Sequence, residues 1–160
     1  MAKNPDPALK LTTSKGITRT LDDWATMFHL CFVVLPARTE ASVFVPIGER
    51  IFATFGDADC HTAYVVTGPP SVAERLLGDS ASAEMVFVDP DLELVGSLGL
   101  ERLPAFVHLR QDTSLGASAE GWDPKEWQRA AREVAKAMGW TVPEVSGKGD
   151  PPKFEGWPVA

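Results

Sequence analysis

A chain of 160 residues with 44% hydrophobic content is long enough to bury one good core, and that length favours one domain over two. A formal net charge of -7 and a pI near 4.9, without a stripe of clustered Lys and Arg, exclude a nucleic-acid backbone as ligand, because that affinity depends on basic clusters releasing counterions. The N-terminus MAKNPDPALK lacks the apolar core of a signal peptide, and no run approaches the roughly 18 apolar residues of a membrane span, so a cytoplasmic protein without membrane contact is expected.

Residues 1–18 are polar with little periodicity and read as an extended arm, where Lys3, Lys10 and Lys15, followed by Arg19, face only Asp6. A short first helix follows in TLDDWATMFHL, with Thr20 as N-cap, Asp23 at its third position and Trp24, Met27 and Phe28 at helical spacing. CFVVL is a continuous apolar run suited to a strand covered on both faces. After a turn over Pro36 to Thr39, ASVFVPIGERIFATF carries a helical stripe, Val43, Phe44, Ile47, Ile51, Phe52 and Phe55. Pro46 is expected to kink this helix and Gly48 to weaken it.

HTAYVVTG reads as a second strand, PPSVAERLLG as a short helix and EMVFVDP as a third strand. DLELVGSLG is a brief helical segment, and LPAFVHLRQ and TSLGASAEG are two strands joined by a turn at Asp112. In the last helix Asp123 caps, Pro124 takes the first position, and Trp127, Ala131, Val134 and Met138 make one apolar face before Gly139. Residues 141–160 are rich in Pro and Gly and predict no regular element, although Phe154 and Trp157 point to packing, on this domain or on a partner. The expected organisation is an arm (1–18), one domain (19–140) and a tail (141–160). Cys31 and Cys60, the only cysteines, fall in different elements; the expectation in a reducing compartment is two buried thiols and no disulfide.

This order resembles the thioredoxin fold, and three spacings carry the likeness. Pro46 falls five residues after Ala41, which places Arg38, Thr39, Glu40 and Ala41 on the positions of that family's Cys-x-x-Cys; Asp89 precedes Pro104 by fifteen residues; and Gly121 closes the last strand. The likeness spans roughly Thr20 to Trp140 and implies an α/β fold with a mixed central sheet of four to five strands, flanked by helices on both faces. It also implies a cis peptide bond at Leu103–Pro104, leaving the Leu103 backbone able to pair with an extended polypeptide.

Dithiol exchange needs two thiols close together, one with its pKa lowered at a helix N-terminus, and Arg38 and Ala41 supply neither. The motif turn instead offers unpaired N–H groups and a guanidinium suited to an anion, with Glu40 as a competing neutraliser. His29, His61 and His108 show no metal-ligand spacing, and neither a metal nor a cofactor is expected. No glycine-rich phosphate loop or nucleophile elbow is present.

The leading expectation is therefore a redox-inactive thioredoxin-like module that binds an unidentified protein partner, as an assembly factor, adaptor or complex subunit. Its binding surface would comprise Pro36, Arg38, Thr39, Glu40, Leu103 and Pro104. The alternative is a single-cysteine thiol oxidoreductase acting through Cys60, and a third reading is a structural subunit that buries its tail in a partner.

Overall fold

The computed structural model describes residues 2–159; Met1 and Ala160, the outer ends of the expected arm and tail, lie outside the described residues. In chain order the elements are β1 (Lys10–Thr13), β2 (Thr18–Thr20), α1 (Leu21–Ala25), β3 (His29–Pro36), a 3-10 turn (Thr39–Phe44), α2 (Val45–Phe55), β4 (Cys60–Thr67), α3 (Pro70–Leu77), α4 (Ser80–Ala83), β5 (Met85–Val88), α5 (Glu93–Leu98), β6 (Arg102–Leu103), β7 (Ala105–Leu109), β8 (Leu115–Glu120), α6 (Pro124–Met138) and β9 (Trp157–Pro158). Seven strands form one mixed sheet in the order β2-β1-β5-β4-β3-β7-β8, and β6 pairs with β9 in a separate two-stranded sheet. β3, β4 and β5 run parallel, while β7 and β8 add an antiparallel hairpin beside β3.

The sheet is larger than the four to five strands expected because part of the polar arm joins it: β1 pairs with β2 and, at Thr12 and Thr13, with β5. Leu11 is buried there, and its carbonyl accepts the Trp24 indole N–H at 3.1 Å. A single apolar side chain gave no periodicity from which to predict a strand.

β3 is buried from Leu30 to Pro36 because both its faces are covered. Cys31, Val33 and Leu35 enter a cluster with residues of α2, α3 and α6, whereas Leu30, Phe32 and Val34 enter the opposite cluster with residues of α1 and α5. Hence the run CFVVL shows no polar alternation.

Two helices differ from expectation. α1 stops at Ala25: Met27 adopts φ 66° and is 77% exposed, so the apolar spacing there does not mark a buried face. α2 begins at Val45 after the 3-10 turn, so Pro46 lies in its first turn, where an amide N–H would have no intrahelical partner, and does not kink the helix interior. α6 follows its sequence signals: Asp123 Oδ1 accepts the Lys125 N–H at 3.1 Å, and Gly139 closes the helix in the left-handed conformation.

Candidate functional site

The C-terminal ends of the parallel strands carry the degenerate motif. β3 ends at Pro36, Arg38 and Glu40 are exposed with Arg38 Nε 3.7 Å from Glu40 Oε2, and Thr39 opens the 3-10 turn. Leu103 and Pro104 are buried, joined by a cis peptide bond, and lie beside the same pole because Ala105 pairs with Val34 of β3. Trp157 brings these groups together: it pairs with Leu103 in the β6–β9 ladder, and the Arg38 guanidinium lies 5.0 Å from its ring centroid.

The chain's own tail therefore fills this pole. Phe154 exchanges backbone hydrogen bonds with Trp122, at 2.6 and 2.7 Å, and its ring stacks on Phe44. Gly121, at φ 75°, admits the passing strand, because a Cβ there would lie 2.5 Å from the Glu155 carbonyl oxygen. Phe154 and Trp157 thus pack on their own domain.

The opposite pole, where the parallel strands begin, holds a cluster of a different kind. In the β3–β4 ladder His29 is aligned with Cys60 and Cys31 with Thr62; in the β3–β7 ladder Cys31 is aligned with His108. Aligned residues of neighbouring strands project to one side of a sheet, so His29, Cys31, Cys60 and His108 share a face, the one covered by α2 and α6. The loop after α2 sets this register through hydrogen bonds from the Cys60 N–H to the Ala58 carbonyl and from the His29 N–H to the Asp59 carbonyl, at 2.7 and 2.9 Å.

Both cysteines are free and buried, and they touch: the Cys60 thiol donates to Cys31 Sγ across 3.2 Å. Cys31 is fully buried, whereas Cys60 keeps 7% exposure. Burial, and then the hydrogen bond shared with Cys60, push the Cys31 thiol well up, so it stays protonated at neutral pH. Beside the pair, His29 Nδ1 and His108 Nε2 are 2.9 Å apart with their rings stacked. Burial, then His29 and then Arg110 lower the His108 pKa to about 4; burial, then Arg110, also lower that of His29, against an opposing effect of Asp59. Among the described residues no group of three or more His, Cys, Asp and Glu is placed to hold a metal ion. The chemistry open to this cluster is that of two apposed thiols: loss of two electrons and two protons to form a disulfide.

The sequence places Cys31 and Cys60 in separate elements and does not show their contact. A signal existed: each stands at the start of one of two strands that an α/β order sets side by side.

No known family's model matches the chain, and no curated protein matches it. Solved structures do. The thioredoxin domain of a thiol-disulfide oxidoreductase from Bacteroides vulgatus superposes with TM-score 0.66 at 14% identity, covering 86% of this chain and 99% of that one. A secreted disulfide oxidoreductase from Mycobacterium tuberculosis gives TM-score 0.60 at 13% identity, covering 80% and 96%. Peroxiredoxin Q from Xanthomonas campestris gives 0.61 at 13%, covering 82% and 89%. The fold is thioredoxin-like. The expectation of a redox-inactive binding module is corrected: solved structures sharing this fold include thiol-disulfide oxidoreductases and peroxiredoxins, and the thiol-based alternative through Cys60 accords with them better. No helix among the described residues is long and apolar enough to cross a membrane.

Proposed function

We propose that this protein is a thiol oxidoreductase in which Cys60 is the reacting thiol and Cys31 its partner, the pair cycling between dithiol and disulfide. The observation that carries this reading is the 3.2 Å approach of the two sulfur atoms. Bond formation closes that gap to about 2.05 Å. Cys60 is the member that meets solvent, and Cys31, enclosed 3.2 Å away, can close the disulfide on a sulfur already activated on Cys60 once it gives up its proton. The site differs in position from the helix-start motif of the family it resembles: Arg38 to Ala41 hold no thiol and lie at the other end of β3. A cytoplasmic location suits a pair that rests as free thiols.

The test is equilibration of the full-length protein in thiol–disulfide buffers of graded potential, followed by mass analysis and free-thiol counting. The expected result is a single transition in which both thiols disappear together with the loss of two hydrogens, abolished by Cys60→Ser and by Cys31→Ala. If both thiols stay free at every potential while the protein remains folded, the reading fails.

A further inference from the structure

The arm that joins the sheet also builds a cavity that the thiol chemistry leaves unused. The turn between β1 and β2, the Trp24 side chain of α1 and the segment leading from α4 into β5 line an open pocket of about 310 Å³. That volume lies at the lower end of the roughly 300–1,000 Å³ of small-molecule sites. Ile17, Trp24 and Met85 supply its apolar part. Trp24 is 5% exposed and anchored by its indole bond to Leu11, whereas Ile17 is 50% exposed and leaves an apolar wall open to solvent. The turn that carries Ile17 is fixed by its own bonds: the Thr13 N–H donates to the Ile17 carbonyl at 2.9 Å and the Ile17 N–H to Thr13 Oγ1 at 3.1 Å. The Ser14 N–H ties the same turn to the Val86 carbonyl of β5 at 2.8 Å. A wall ordered in advance lowers the entropy cost of binding.

The rim of this pocket is basic in a chain whose net charge is -7. Lys15 and Arg19 line it, both exposed, and among the described residues neither forms an ion pair with a carboxylate. The Arg19 guanidinium lies 4.8 Å from the centroid of the Trp24 ring, which sets a full positive charge beside the apolar floor. Glu84 is the acidic residue of the lining; burial, and then Glu49, raise its pKa and so oppose its ionised form. We infer that the pocket binds a small organic carboxylate, its apolar body, about one ring in size, resting on Trp24 and Ile17 while the carboxylate meets Arg19 and Lys15. Two cations repel a positively charged ligand, and an uncharged apolar one forgoes the charge-assisted hydrogen bonds that the rim offers. The walls include no residue of β3 or β4, where the thiols stand, so this site holds or fails independently of the thiol reading.

The experiment titrates isotope-labelled full-length protein at neutral pH with hydrocinnamate, hydrocinnamyl alcohol and acetate, following the amide and indole N–H resonances. Hydrocinnamate is expected to shift the Trp24 indole and the amides of Lys15 and Ile17 saturably. The alcohol, which lacks the charge, and acetate, which lacks the apolar body, are each expected to bind at least about tenfold more weakly. Replacing Lys15 and Arg19 together by Gln is expected to weaken hydrocinnamate at least about fivefold, and Glu84→Gln to tighten it. The comparison of acid with alcohol uses the wild type alone, so it decides even if a variant does not fold. Absence of a saturable shift at Trp24, an alcohol that binds as tightly as the acid, unchanged affinity in the double variant, or weaker binding in a folded Glu84→Gln would each overturn the inference.

Discussion

His108 is 2% exposed and stacked on His29, an arrangement that depends on a missing side chain across the hairpin. A Cβ on Gly116 would lie 2.1 Å from His108 Nδ1, so only glycine lets the β8 backbone pass this ring. Burial opposes charge on both rings; His29 and then Arg110 oppose it further on His108, and Arg110 does so on His29, with Asp59 the acidic group acting on His29 in the other direction. The folded pKa of His108, about 4, lies below the ordinary histidine value of 6.5. Between those values the unfolded chain binds more protons than the folded one. The stabilising contribution is therefore complete above about pH 6.5 and is lost as the pH falls toward 4, a change on the order of 3 kcal/mol. Urea unfolding at pH 7 and pH 4.5 is expected to reveal this loss in the wild type and a much smaller one in His108→Gln, the difference between the two excluding carboxylates that titrate in the same range. Neither the histidine pairing nor the thiol contact was legible from single positions: His29 and His108 are separated by 79 residues, and only the register of β3 against β7 brings them together.

The helical elements were legible to the extent that their ends carry local chemistry. α6 announced itself through Asp123, Pro124 and Gly139, each acting within its own turn. α2 was legible as an apolar stripe but misplaced at its start, because Ala41 and Phe44 are buried from a 3-10 turn much as they would be from an α-helix. That distinction decides what Pro46 does. An interior proline would cost about 3 kcal/mol, and its replacement would recover most of it. In the first turn, with its ring exposed, Pro46→Ala is expected to change stability by less than about 1 kcal/mol in chemical denaturation. A gain near 3 kcal/mol would place the helix start earlier than Val45. The arm strands were not legible, because β1 and β2 owe their pairing to the edge of β5 rather than to apolar alternation of their own.

At the scale of the whole molecule, the sheet has one pole closed by the tail and another carrying two thiols, and the tail's docking joins distant parts of the chain. Arg50 Nη2 reaches both carboxylate oxygens of Asp150 at 2.5 Å, an ion pair between residues 100 apart in sequence, while Arg50 Nε donates to the Val145 carbonyl at 3.0 Å. Such contacts form only after the entropy of closing a long loop has been spent, and they rest on helices and strands that must already be in place. The tail is therefore expected to dock after the rate-limiting barrier of folding. Trp157→Ala and Asp150→Asn are expected to destabilise the protein by roughly 1–2 kcal/mol, with stopped-flow chevrons showing about a tenfold faster unfolding limb and a refolding limb nearly unchanged. Slower refolding in either variant would instead place the tail in the folding nucleus. A latch that closes last governs how long a native state persists rather than how quickly it is reached.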